Sequence, residues 1–119
     1  MCAAARPVDL EHLSRYTGGD RALNAEVLLL FVEQSAALML ELQSAFESHD
    51  TNRWQHITHS LKGAAKGIGA FGLAEVAAVA EPLDPAVQTR EALSALADLR
   101  AKSEIVSSFI RGYLGPILS

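Results

Sequence analysis

Residues 54–70 read W-Q-H-I-T-H-S-L-K-G-A-A-K-G-I-G-A, and this stretch decides the fold. At about 100° per residue, a helix over this range places most of its apolar side chains on one side. That predicted core side consists of Trp54, Ile57, Thr58, Leu61, Ala64, Ala65 and Ile68. The opposite side carries Gln55, His59, Lys62 and Lys66. The pattern therefore predicts a solvent-exposed histidine between two lysines.

Gly63 lies about one turn after His59, where a side chain would crowd the imidazole. Glycine inside a helix costs about 0.5–1 kcal/mol relative to alanine, so a compensating role is expected. We interpret Gly63 as a residue that keeps the approach to His59 open, with close helix packing as the alternative. An exposed imidazole beside ammonium groups suits an anion, and phosphate is the first candidate.

The size and composition predict one helical domain over residues 1–119, with residues 1–7 as a flexible tail. Half of the residues are hydrophobic and only 6% are aromatic, and alanine and leucine dominate, which favours helices over sheet. The formal net charge of -4 argues against general affinity for nucleic acid or an anionic membrane. Any positively charged site must therefore be local.

The location of the protein is predicted from cysteine usage and apolar runs. Cys2 is the only cysteine, so no internal disulfide and no thiolate zinc site is expected, and we interpret it as an incidental thiol. The opening M-C-A-A-A-R-P-V does not resemble a signal peptide, and the longest apolar run, residues 27–32, is too short to span a bilayer. We expect a cytoplasmic protein.

The first half of the chain predicts two helices before the histidine helix. A short one containing Val8, Leu10 and Leu13 is stopped by the glycines at 18 and 19. Asp20 is a candidate N-cap for a second helix that runs to about His49 without proline or glycine. A short polar break at residues 48–52 follows, so helices two and three should form an antiparallel hairpin.

The second half predicts one or two further helices. The pattern weakens around Gly67, Gly69 and Gly72, where packing or a kink is expected. The sequence E-P-L-D-P at residues 81–85 predicts a turn, and a last helix should run from about residue 85 or 86 to 112, ended by Gly115 and Pro116. We predict an all-α fold, an up-down antiparallel four-helix bundle with a short additional N-terminal helix.

The motif H-S-L-K-G at residues 59–63, followed by Ala64, Ala65, Ile68, Gly69 and Ala70, closely resembles the H-x-L-K-G-x-x-x-x-x-G-A signature of histidine-containing phosphotransfer domains. A weaker match extends over the chain through T-G-G-D at residues 17–20 and the long helices. The resemblance implies that His59 accepts a phosphoryl group from an aspartyl-phosphate of a receiver domain and passes it on. It also implies that Lys62 balances the phosphate charge and that Gly63 keeps the approach open.

The chemistry of the residues is compatible with these roles. A nucleophilic imidazole must be neutral, and nearby cations disfavour a second positive charge on it. Lys62 and Lys66 would therefore help twice, because they also stabilise the phosphorylated product. Gln55, one turn before His59, is a candidate hydrogen-bond donor to the imidazole or the phosphate. The predicted site comprises His59 as phospho-acceptor with Lys62, Gly63, Lys66 and Gln55.

No cofactor is expected on this chain. It has no glycine-rich nucleotide loop and no G-x-x-x-x-G-K-[ST], so we predict a phosphohistidine carrier without ATP-dependent kinase activity. His56 and His59 have a spacing that can suit a metal, but no third ligand is evident, and we predict no metal site. The resemblance places the Mg²⁺ needed for transfer on the partner receiver domain.

The expected partners are receiver domains of a hybrid histidine kinase, a response regulator or both, in a bacterial-type phosphorelay. We expect a monomer that binds neither nucleic acid nor membrane. Candidate apolar docking residues lie in the first two helices: Val8, Leu10, Leu13, Leu23, Val27 and Leu28. Two alternatives remain: a module that binds and regulates a receiver or kinase without accepting phosphate, and a purely structural bundle.

Overall fold

A computed structural model of the chain describes residues 6–118, and their side chains as far as residue 115. It contains five helices, namely α1 (Leu10–Thr17), α2 (Arg21–Glu47), α3 (Thr51–Ile68), α4 (Phe71–Ala80) and α5 (Thr89–Leu118). This range contains no strand, so the predicted all-α class is confirmed. Cys2 and most of the predicted tail, residues 1–7, lie outside the described residues.

Four of the helices form the bundle. Helix α3 packs between α2 and α4, and α5 closes the ring by packing on both α4 and α2. The short α1 covers α2 and α3, as the additional N-terminal helix of the prediction. The core contains large, fully buried side chains from all five helices, including Leu13, Leu28, Leu42, Trp54, Leu61, Leu73, Leu96 and Ile110. The predicted four-helix bundle is confirmed.

Three aspartates fix the starts of α1, α2 and α3. Each carboxylate accepts a hydrogen bond from a backbone N–H in the first turn, which satisfies a donor that the helix leaves free. The pairs are Asp9 with His12 at 3.1 Å, Asp20 with Leu23 at 3.0 Å, and Asp50 with Arg53 at 3.1 Å. The cap predicted at Asp20 is therefore present.

Helix α2 is the most apolar long helix. By length and composition alone it could cross a membrane, since its most apolar window has a mean hydropathy of 1.5. In the bundle it packs instead against α3 and α5, and Phe31, Leu42 and Ala45 lie in the core. The core helix of a bundle can have the same length and composition, so these two properties alone do not show a membrane span.

The chain breaks completely between α3 and α4. Gly69 adopts a left-handed conformation with φ +83° and ends α3, because its N–H and that of Ala70 bond back to carbonyls of the last turn. The Gly69 carbonyl also accepts the N–H of Asp9 at 2.9 Å, which ties the segment before α1 to this turn. The weakened helical pattern in the sequence thus marks a true helix end.

The predicted limits of the last helix are wrong at both ends. Helix α5 begins at Thr89, because Asp84 holds residues 84–88 in a turn through bonds to the backbone of Ala86 and to Gln88. At the other end α5 continues to Leu118, through Pro116. Proline removes one backbone donor, and in the last turn of a 30-residue helix that loss does not end the helix.

Candidate functional site

The buried face of α3 determines which of its side chains reach solvent. Trp54, Ile57, Thr58, Leu61, Ala65 and Ile68 are buried, as the helical period predicts, and Ala64 is half-buried. The indole Nε1–H of Trp54 donates to the carbonyl of Ala80 at 2.8 Å, which joins α3 to the end of α4. Trp54 is therefore a core anchor, and the opposite face of α3 is held outward.

His59 lies near the middle of that outward face, with 67% of its side chain exposed. Its Nδ1 lies 3.1 Å from Oε2 of Glu81, and the other oxygen of the same carboxylate, Oε1, accepts a hydrogen bond from Nζ of Lys62 at 2.8 Å. Lys62 is only 24% exposed, less than the sequence pattern predicts. One carboxylate thus connects the histidine and the nearer lysine.

Glu81 is the first residue after α4, and its side chain is 28% exposed. The hydrogen bond and the positive charge of Lys62 hold the pKa of Glu81 below its usual value, and contact with His59 acts in the same direction. Glu81 is therefore ionised at neutral pH. An ionised carboxylate only accepts hydrogen bonds, so its contact with His59 is favourable when the imidazole Nδ1 carries the proton.

Glu81 was missed in the sequence because residues 81–85 were interpreted only as a turn. A usable signal was nevertheless present. In an antiparallel helix pair, residues that are equally far along the chain from the turn lie side by side. With the turn at residues 69 and 70, residue 81 lies level with residue 58. That register places an acidic side chain beside the H-S-L-K-G motif.

Gln55 and Lys66 occupy the predicted exposed face of α3, but they are separate from the His59 group. Both are exposed, and no hydrogen bond or ion pair described within residues 6–115 involves either side chain. The structure therefore brings together His59 and Lys62, through Glu81, and leaves Gln55 and Lys66 facing solvent farther along the helix.

Gly63 is exposed, and a Cβ at this position would have no heavy atom within 4 Å outside its own helical surroundings. The alternative of close helix packing at Gly63 is therefore wrong. Gly67 and Gly72 are equally open, so of the two expectations for these positions, packing or a kink, packing is absent. Gly69 differs, because a Cβ would lie 2.7 Å from the backbone oxygen of Asp9. Gly69 serves the fold, whereas Gly63 leaves open space beside His59.

Two further features of the described residues concern metal ligands and apolar docking residues. Within residues 6–118, no group of three or more histidine, cysteine, aspartate or glutamate side chains is placed to hold a metal ion. Among the predicted docking residues Val8, Leu13 and Leu28 are buried, so that part of the prediction is wrong. Val8 precedes α1, outside the short helix in which it was predicted, and it lies in the core with Leu13 of α1 and Leu28 of α2. An amphipathic pattern alone does not show which apolar side chains remain outside.

Comparison with known proteins supports this description of the fold. The Hpt domain model matches residues 26–106, about two thirds of the chain, a range that includes His59. The crystal structure of histidine-containing phosphotransfer protein B from Pseudomonas aeruginosa PAO1 shares the fold, with a TM-score of 0.82 over 92% of this chain and 95% of that chain, at 21% sequence identity. Comparison with curated protein sequences found no match. From the family match, which spans the histidine helix and most of the bundle, we conclude that the chain belongs to the Hpt domain family.

Proposed function

We propose that this protein relays a phosphoryl group between aspartates of receiver domains, through His59, in a cytoplasmic phosphorelay. The observation that carries the proposal is the exposed His59, with Lys62 beside it and open space at Gly63. Its partners are the receiver domains of a hybrid kinase and of a response regulator, and it acts as a monomer. The resemblance of the H-S-L-K-G motif to the family signature supports the same residue as acceptor.

The transfer step needs little from the chain beyond a positioned nucleophile and balanced charge. A nitrogen lone pair of His59 forms a bond to phosphorus, and the phosphorus–oxygen bond of the aspartyl-phosphate breaks. The electron pair of that bond leaves with the receiver carboxylate. A receiver that holds Mg²⁺ would supply the neutralisation of charge on the phosphoryl oxygens, so this chain need not hold a metal. On this chain, Lys62 and Lys66 add positive charge, Gln55 is available as a hydrogen-bond donor, and Gly63 gives clearance.

The surface on both sides of α3 suits a docked protein domain. Helices α2 and α4 are the bundle neighbours of α3, and each carries an exposed aliphatic side chain. Leu40 on α2 is 75% exposed and Val79 on α4, two residues before Glu81, is 68% exposed. Exposed apolar side chains are typical of surfaces that bind another protein. We propose these two residues as receiver contacts in place of the buried side chains named above.

The proposal is tested by mixing the protein with a receiver domain carrying labelled aspartyl-phosphate. We expect acid-labile label on the wild-type protein and none on His59→Gln. His56→Gln is the matched control, because His56 is an exposed histidine on the same helix and should accept no phosphoryl group. Label on His59→Gln at the wild-type level would refute the proposal. Regulation of the receiver that persists in His59→Gln, without label on wild type, would favour the binding module.

A further inference from the structure

We propose that the groove between α2 and α5 binds a small organic anion, either a carboxylate or a phosphate ester. The groove has a volume of about 240 Å³. Every residue that lines it belongs to α2 or α5, and none belongs to α3, the helix that carries His59. The proposed site is therefore separate from the phosphotransfer site and does not rest on the proposed relay.

The first argument is an unpaired hydroxyl in the lining of the groove. Ser103 lines the groove and is 9% exposed, and its Oγ has no hydrogen-bond partner within the described residues. A serine inside a helix can donate to a carbonyl of the preceding turn, as Ser35 on the α2 wall does to Val32 at 3.2 Å. A buried hydroxyl without a partner costs free energy, so an acceptor atom is expected in the groove beside Ser103.

The second argument is the positive charge at both ends of the groove. Arg100 and Arg111 are about three helical turns apart on α5, roughly 16 Å, and lie on the same face of the helix. Nη2 of Arg100 donates to Oε1 of Gln43 at 2.7 Å, which holds one guanidinium against α2. No hydrogen bond or ion pair described within residues 6–115 involves the Arg111 side chain. Its donors are therefore available to a ligand.

The α5 wall thus presents hydrogen-bond donors and a net positive charge. Ser107 lies in this wall between the two arginines, is buried, and makes no side-chain hydrogen bond within the part of the chain that the structure describes. Serine hydroxyls and guanidinium groups donate to carboxylate and phosphate oxygens, and a guanidinium can make two parallel hydrogen bonds to them. Among the described residues that line the groove, Glu104 alone is acidic, and the two arginines outnumber it. The groove is a local exception in a chain with a formal net charge of -4.

The α2 wall of the groove is mainly apolar. It consists of Val32, Ala36 and Met39, together with Ser35, whose hydroxyl already donates to a backbone carbonyl. An apolar cavity of about 150 Å³ is large enough for benzene, so about 240 Å³ holds an apolar group of that size together with an acid group. The expected ligand is therefore an organic anion, with its acid group toward α5 and its apolar part on α2.

The test is an NMR titration that follows the backbone amide signals of isotope-labelled protein. Phenyl phosphate and benzoate present the two candidate acid groups on the same ring. Benzyl alcohol keeps the ring without the charge, and inorganic phosphate keeps the charge without the ring. The amides of α3 are followed in the same spectra, because a phosphate probe that binds beside His59 would shift those signals instead.

We expect phenyl phosphate, benzoate or both to shift the amides of Ser103, Ser107 and Arg111 until they saturate. The probe with the higher affinity identifies the acid group that the groove prefers. Benzyl alcohol and inorganic phosphate should bind on the order of tenfold more weakly, because each lacks one of the two groups that the groove contacts.

Charge variants test the role of the arginines. Arg111→Gln should weaken binding on the order of tenfold, the effect of losing one charge-assisted hydrogen bond. Its matched control is Arg90→Gln, an exposed arginine on the same helix outside the groove, which should bind like wild type. Glu104→Gln should bind more tightly, because it removes the negative charge from the lining. His59→Gln should bind like wild type.

Ser103→Ala tests the unpaired hydroxyl by thermal unfolding without a probe. Its melting temperature should exceed that of Ser108→Ala, an exposed serine on the same helix, because both variants gain helix propensity but only Ser103→Ala removes a buried unpaired hydroxyl. Ser103→Ala should also bind the probe more weakly than wild type. A lower melting temperature than that of Ser108→Ala would show that the hydroxyl is already paired, for example by an ordered water, and would overturn the first argument.

The proposal is overturned if neither phenyl phosphate nor benzoate gives saturable shifts in the groove, or if the shifts are confined to α3. Equal weakening by Arg111→Gln and Arg90→Gln, weaker binding by Glu104→Gln, or equal affinity for benzyl alcohol would also overturn it, because the groove would then not recognise the charge. The relay proposal is read separately, from the label on His59, and none of these results bears on it.

Discussion

Replacement of Trp54 by phenylalanine tests the connection that places the end of α4 beside His59. The indole is fully buried, it lies near the ring of Phe46 with 6.3 Å between centroids, and its Nε1–H donates to the carbonyl of Ala80. Phenylalanine keeps an aromatic ring at this position but cannot make the hydrogen bond. The variant therefore removes one donor and part of one side chain from the core.

Two losses determine the magnitude. The Ala80 carbonyl loses its indole donor but keeps the N–H of Leu83 at 3.1 Å, so the loss is that of one net hydrogen bond, about 0.5–1.5 kcal/mol. The smaller ring leaves a cavity, which adds about 1 kcal/mol. The free energy of unfolding should thus fall by about 1.5–2.5 kcal/mol, and for a domain of this length the melting temperature should fall by roughly 6–10 °C.

The assay is thermal unfolding followed by far-UV circular dichroism. Tyr16→Phe is the matched control, because it also removes a polar group from an aromatic ring, but at a side chain that is 72% exposed. Its effect should stay within about 0.5 kcal/mol. A melting temperature of Trp54→Phe within about 2 °C of wild type would refute the argument that this hydrogen bond and the packing around it hold α3 to α4.

Further predictions concern the glycines and the carboxylate. Gly63→Ala should raise the free energy of unfolding by about 0.5–1 kcal/mol and slow phosphotransfer. Its control is Gly112→Ala, at an equally open helical position, which should leave the transfer rate unchanged. A Gly63→Ala variant that transfers as fast as wild type, or faster, would contradict the clearance role. Gly69→Ala should destabilise by about 2 kcal/mol or more in thermal unfolding, because its φ is +83° and its Cβ would meet backbone; wild-type stability would contradict this. Because Lys62 holds the pKa of Glu81 below 4.5, the ionised carboxylate stabilises the fold above that pH and the benefit is lost as pH falls through the lowered pKa. The melting temperature of wild type should exceed that of Glu81→Gln at about pH 7, and the difference should shrink as the pH falls below 4.5; a difference that stays constant would contradict the ion pair.

The sequence predicted the features that depend on local pattern. The buried face of α3, the cap at Asp20 and the exposure of His59 follow from helical period and capping chemistry, which need no knowledge of neighbouring helices. The sequence left open whether the chain breaks or kinks near Gly69, because both outcomes have the same glycine-rich composition. The predicted start of α5 was wrong because Asp84 makes hydrogen bonds that extend the turn before the helix.

The features that depend on contacts between helices were not predicted. Lys62 was expected in water beside His59, yet it is held by a carboxylate from the end of another helix. The choice between exposed and buried apolar residues failed in the same way at Leu28, because the pattern of a helix does not show how much of it a neighbour covers. The register of the α3–α4 pair, counted from its turn, would have indicated Glu81.

The most direct test of the central claim is to locate the phosphoryl group on the wild-type protein. After reaction with a phosphorylated receiver, the protein is digested at alkaline pH and its fragments are sequenced by tandem mass spectrometry. The chain contains four histidines, and His56 is only three residues from the proposed acceptor, so the fragments must separate these two. We predict the phosphoryl group on His59 alone. A phosphoryl group on another histidine, or none on the chain while the receiver loses its own, would contradict the claim.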